Sequence, residues 1–249
     1  MNSSVANIKT IAKRELGAYF TSPLAYVFIV IFLLLSGFFT FFVGQFFERG
    51  EASLSRPFFD WHPWFYLFLV PAVGMRLWAE ERRVGTIELL LTMPITAGQA
   101  IIGKFLASWL FLGVALALTF PVVITVNYLG SPDNGVIFAA YVGSWLMAGA
   151  YLAISCLTSA LTRTQVVSFI VAVMVCLFLI LCGFGPVIQL LEGWGQPALV
   201  NFVASLSFIT HFGGFQKGVL DSRDVIYFLS VIGFALFTTG VILRGHRAG

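Results

Sequence analysis

The chain alternates long apolar runs with short polar breaks. Six runs have the length and uniformity of bilayer-crossing helices, which need about 20 predominantly apolar residues. They cover residues 23–47, 61–78, 97–129, 136–161, 165–187 and 225–243. The third is long enough to protrude or tilt. Local signals fix several ends. Thr21 or Ser22 can cap the first helix, and Pro23 suits its first turn, where the missing N–H is no loss. Thr96 with Gln99 forms a capping-box pattern ahead of the third. Ser131-Pro132-Asp133-Asn134-Gly135 predicts a turn into the fourth, and Pro71 predicts a kink in the second. Ala139, Gly143 and Met147, with neighbouring Ala140, Ser144 and Ala148, line the fourth and predict close helix approach, read as packing within the subunit rather than as a dimer seam.

Two segments depart from this pattern. Over 5–20, Ile8, Ile11, Ala12, Leu16 and Phe20 recur at helical spacing while Lys9, Lys13, Arg14 and Glu15 occupy the rest of the surface. That is the signature of an amphipathic helix lying in the membrane interface. Segment 188–224 is too broken by glycine and proline for one span and too apolar for a free loop. Re-entrant helices, shielded by protein, reconcile both facts.

Composition agrees. Of 249 residues, 59% are hydrophobic and 10% charged, with mean hydropathy +0.95. A soluble domain carries about a quarter charged residues. The predicted fold is an all-α polytopic membrane protein with one transmembrane domain over 1–249. Charge placement gives direction. One side collects Lys9, Lys13, Arg14, Arg76, Arg82, Arg83, Lys104, Arg163, Arg244 and Arg247; the other has Arg49, Arg56, Lys217 and Arg223. The basic side reads as cytoplasmic, with both termini in the cytoplasm of a bacterial inner membrane. No cleavable signal peptide is expected. Cys156, Cys176 and Cys182 lie in apolar runs without CxxC spacing, so no metal or disulfide role is expected.

The most informative polar break is 80–104, EERRVGTIELLLTMPITAGQAIIGK. A turn serving only to reverse the chain needs far less. Glu80, Glu81, Arg82 and Arg83 open it, and Gly85 breaks the preceding helix. Thr86, Glu88, Leu90 and Leu91 then fall on a short helix, 85–93, which Pro94 ends. Two turns of helix are marginal alone and persist by packing on a partner.

Gly98–Lys104 formally fits GxxxxGK. Phe105 replaces the required Ser or Thr and no strand precedes it. Lys104 reads instead as a lysine snorkelling to the interface. Trp61, Trp64 and Trp78 read as interfacial anchors. Arg76, four residues before Glu80, could pair with it along one helix face. Arg76, Asn127 and His211 are candidates for a gate or for helix packing. The three histidines are scattered and no catalytic set is visible, so the chain is not expected to be an enzyme. Few juxtamembrane basic residues give no support for nucleic-acid binding.

Three stretches together resemble the ABC-2 type transporter permeases: Lys13–Tyr26 (KRELGAYFTSPLAY), the hairpin EERRVGTIELLLTMPIT, and His211–Phe228 (HFGGFQKGVLDSRDVIYF). The likeness covers nearly the whole chain. It is nearest to the permeases of gliding-motility-associated and nitrous-oxide-reductase-maturation transporters. The resemblance implies the permease subunit of an ATP-driven exporter or ABC-type membrane machine. Its partners would be a cytoplasmic ABC ATPase and a second permease copy, a homodimer being favoured and a heterodimer left open. ATP and Mg would sit on the ATPase, with no cofactor on this chain. Helix 85–93 would be the coupling helix seated in the ATPase, with Glu80, Glu81, Arg82, Gly85, Thr86, Glu88, Leu90, Leu91 and Pro94 as coupling residues. A different reading is a non-transporting anchor or signalling subunit of an extracytoplasmic complex. An ion-coupled carrier is disfavoured, because the span centres hold no ionisable group. The cargo is not legible.

Overall fold

A computed structural model of the chain describes residues 2–50, 52–85, 95–193 and 197–245. Among these residues every regular element is helical. Helix α1 spans Asn2–Thr21, and α2 spans Pro23–Phe38, continued by a π-helical turn, Phe39–Val43. A single turn, α3, covers Phe46–Arg49. Helices α4 (His62–Gly74) and α5 (Arg76–Val84) follow. Next come α6 (Ala97–Ala117), α7 (Phe120–Leu129) and α8 (Asn134–Leu161). The chain ends with α9 (Gln165–Leu181), α10 (Gly185–Glu192), α11 (Pro197–Ser205), α12 (Phe208–Gln216) and α13 (Ser222–Gly245).

Local signals hold where they were read. Ser22 caps α2 by accepting from Leu24 N–H at 3.4 Å, with Pro23 in the first turn. Thr96 and Gln99 form both halves of the capping box on α6. Asp133 accepts from Gly135 N–H and Val136 N–H at the start of α8.

Helix α8 is the axis of the bundle. Its most apolar window is 78% buried, against 22–39% for the other three long helices. α13, α4, α9, α12 and α6 all pack on it. Its small residues therefore serve packing inside the subunit. A Cβ on Gly143 would meet Phe215 Cγ of α12 at 2.4 Å, and one on Gly149 would meet Trp109 Nε1 of α6 at 2.8 Å.

The α6–α8 contact is reciprocal. Trp109 and Trp145 stack with centroids 4.3 Å apart. Trp109 Nε1 donates to Trp145 O at 2.9 Å, and Trp145 Nε1 donates to Trp109 O at 3.2 Å. Each indole lies over the glycine of the opposite helix, Gly149 or Gly113. Each tryptophan also precedes its own helix's glycine by one turn. The two hexads, Ser108–Gly113 (SWLFLG) and Ser144–Gly149 (SWLMAG), are a short internal repeat.

Among the described residues, four helical stretches are long and apolar enough to cross a membrane: Pro23–Glu48, Ala97–Leu129, Asn134–Leu161 and Ser222–Gly245. Two bent pairs bring the total to six if each counts as one span: Gln165–Leu181 with Gly185–Glu192 at 58°, and Pro197–Ser205 with Phe208–Gln216 at 73°. The expected span 61–78 is not among them. It breaks at Met75, four residues beyond Pro71, leaving 13 residues in α4. At 1.5 Å per residue that is about 20 Å, short of a hydrocarbon core. The 97–129 run is also interrupted, at Leu118–Thr119, because Pro121 lacks the N–H that a continuous helix would use.

Candidate functional site

The break at Met75 aims the polar break after α4, and α8 supplies the groups that hold it. The first turn of a helix leaves N–H donors without intrahelical acceptors. In α5 two of these, Trp78 N–H and Ala79 N–H, donate to Ser159 Oγ of α8 at 3.0 and 2.9 Å. The same hydroxyl donates to Met75 O at 2.8 Å. Gly74 permits the approach: a Cβ there would lie 2.3 Å from Ser155 Cβ. Trp78 is consequently no interfacial anchor. It is 1% exposed and its indole donates to Cys156 Sγ at 3.2 Å.

Over the Trp78 ring lies Lys104 Nζ, 5.5 Å from the centroid. Lys104 does not snorkel. It is 5% exposed and pairs with Glu81 of α5 at 2.7 Å and with Glu15 of α1 at 3.7 Å. A buried ammonium needs such partners, and two carboxylates with an indole face replace the water it would otherwise seek. One cation on α6 thus ties together two helices that are far apart in the chain.

Helix α1 runs beside α6 in the same direction. Asn7 donates to Gln99 at 3.5 Å, Ile11 closes over Gly103, and Tyr19 meets Ser108 Oγ at 2.9 Å. Tyr19 also stacks on Phe111, with centroids 5.0 Å apart. Burial pushes the Tyr19 hydroxyl up to about 12 against the opposing hydrogen bond with Ser108, so it keeps its proton at neutral pH. The apolar stripe expected to face lipid is therefore partly spent on α6. Lys13 and Arg14 stay exposed, and Arg14 pairs with Glu15 at 3.2 Å.

The Arg76–Glu80 pair that the spacing allows does not form. Glu80 pairs instead with Arg83 at 2.7 Å, one turn further along α5. Arg82 has its pKa lowered by burial and by the nearby Arg163 beyond the end of α8. Gly85 ends α5 at φ +76°, a conformation that favours glycine, with its N–H donating to Arg82 O at 3.3 Å. Of the expected coupling residues, Glu80, Glu81, Arg82 and Gly85 belong to this arrangement. Thr86, Glu88, Leu90, Leu91 and Pro94 lie outside the described residues.

Asn127 and His211 sit at the opposite end of the bundle, and both tie helices together. Asn127 and Asn134 exchange amide hydrogen bonds of 3.0 and 3.1 Å, clasping α7 to α8. His211 Nδ1 lies 2.7 Å from Asp224 Oδ1 and Nε2 lies 2.9 Å from Ser205 O, while the ring stacks on Tyr227. This joins α11, α12 and α13.

Lys104, Ser159 and Trp78 are the residues that the sequence reading left out of the site. What they build is mechanical: a rigid corner of α1, α5, α6 and α8 from which the 86–94 segment departs.

Residues 65–239, from α4 through most of α13, match the family model for ABC-2 family transporter proteins. No curated protein matches the chain. With its long apolar helices wrapped around α8, this chain belongs to the ABC-2 transporter family and is the multi-pass membrane component of an ABC system, not its catalytic ATPase.

Proposed function

We propose that this chain is the permease subunit of an ATP-driven ABC exporter or ABC-type membrane machine, coupled to its ATPase through segment 85–93. The observation that supports this reading most is the Lys104 corner. A segment gripped at 85–93 would pull on α5, and α5 is tied by Glu81 to Lys104, through Lys104 to α1, and by Ser159 to α8. Force that reaches α5 would pass to the axis helix through these contacts. Closure of two ATPases around ATP and Mg would bias the two arrangements of the bundle, as ligand binding does in rigid-body switches. A second copy of this chain would complete the assembly. The hairpin and both termini would face the cytoplasm of a bacterial inner membrane, α1 would ride at its interface, and the α11–α12 pair would be re-entrant from the other side. The finer likeness is to the gliding-motility and nitrous-oxide-reductase-maturation group.

The test is co-purification with the cognate soluble ATPase. Glu88→Arg and Leu90→Asp are each expected to lower the recovered ATPase by about tenfold, the effect of losing one interface anchor. Undiminished association and unchanged ATP turnover in both variants would refute the coupling role.

A further inference from the structure

Two cavities meet beside the Lys104 corner. One, of about 350 Å³, lies between α1, α5 and α6, and its charged lining is Glu15, Glu80 and Glu81 with Arg76 and Lys104. The other, of about 200 Å³, is a slot between α2 and α4 with hydrocarbon walls: Val27, Phe28 and Ile31 on one side, Leu69, Ala72 and Val73 on the other. Tyr19, Ser22 and Arg76 line both. From Ser22 to Ile31 the slot follows α2 for about 13 Å at the helical rise of 1.5 Å per residue. Leu24, Val27 and Ile31 are 49%, 54% and 41% exposed, so the slot opens sideways on a face that a bilayer would cover.

The charges at the junction are unequal. Lys104 is held by Glu81 and Glu15, and Glu80 is held by Arg83. Arg76 is exposed and makes no hydrogen bond or ion pair among the described residues. A guanidinium presents a rigid fork of donors that matches phosphate oxygens two at a time. Lys13 and Arg14, exposed on α1, add positive potential at the same end. An unpartnered fork at the rim of a narrow apolar slot, in a protein whose solvent is lipid, suits one kind of molecule. We propose that this composite cavity binds an anionic phospholipid of the surrounding bilayer, with its phosphate on Arg76 and one acyl chain between α2 and α4. The lipid would wedge the α1–α2 elbow against the α4–α5 break.

Native mass spectrometry of the purified chain, with phosphatidylglycerol and phosphatidylcholine supplied in competition, tests this. The wild type is expected to retain phosphatidylglycerol about tenfold in preference, the range of one charge-assisted hydrogen bond. Arg76→Gln, at an exposed position, removes the preference. Arg76→Lys keeps part of it, and Ala72→Phe lowers retention of both lipids. Arg223→Gln, a cation at the far end, changes nothing. A short-chain phosphatidylglycerol displaces the bound lipid where glycerol 3-phosphate does not, which reports on the tail without a substitution. Unaltered preference in Arg76→Gln would overturn the proposal. An equal loss in Arg223→Gln would do the same, as would displacement by glycerol 3-phosphate as effective as by lipid, which would mark a soluble-anion site.

Discussion

Lys104→Ala is expected to destabilise the detergent-solubilised protein by about 3 kcal/mol, the lower part of the range for removing one partner of a buried ion pair. The loss comes from removing the cation that Glu81 and Glu15 both face, at side chains 17% and 22% exposed, and from uncovering the Trp78 ring. Glu81→Gln keeps the shape and one acceptor, and costs less. Because the two groups are in contact, their effects cannot add. In Lys104→Ala with Glu81→Gln, both charges of that arm are removed together, and the double variant should be more stable than the sum of the singles implies. Denaturant unfolding of the four proteins measures the coupling. Strict additivity would show that the ammonium and the carboxylate do not depend on each other.

Gly149→Val should destabilise by about 3 kcal/mol, the upper end for forcing extra carbons into a filled core. The site cannot relax, since the Trp109 indole that a Cβ would strike at 2.8 Å is pinned by its stack on Trp145 and its bond to Trp145 O. Trp109→Phe loses that bond and part of the stack but creates no clash, and should cost about 1 kcal/mol. Gly233, on α13 with open space around its Cβ position, is the control: Gly233→Val should be far milder. Thermal unfolding ranks the three. A Gly149→Val protein as stable as Gly233→Val would mean that the clasp is not formed.

What the chain disclosed and what it withheld divide by range. Caps are short-range: Ser22–Pro23, Thr96–Gln99, Asp133 and Gly85 each act within a few residues, and each was readable. The break at Met75 is not local. Pro71 marked the neighbourhood, but the groups that stabilise the new helix start sit on Ser159, and the room for it comes from Gly74 against Ser155. Lys104 read as snorkelling because lysine next to a polar break commonly does; its two carboxylates come from α1 and α5, and nothing near it in sequence announces them. Glu80 had two cations at helical spacing, Arg76 before it and Arg83 after it, and Arg83 won. The Trp109–Trp145 clasp did have a sequence signal. Two SWLxxG hexads 36 residues apart on neighbouring apolar helices identify both tryptophans and both glycines.

The account turns on where residues 86–94 lie relative to the membrane and on what holds them. Thr92→Cys, in a chain whose own Cys156, Cys176 and Cys182 are buried, can be probed with an impermeant maleimide in sealed vesicles of either orientation. Labelling from the cytoplasmic face alone, suppressed when the ATPase is bound, is the predicted result. Labelling from the opposite face, or equal labelling with and without the ATPase, would contradict it.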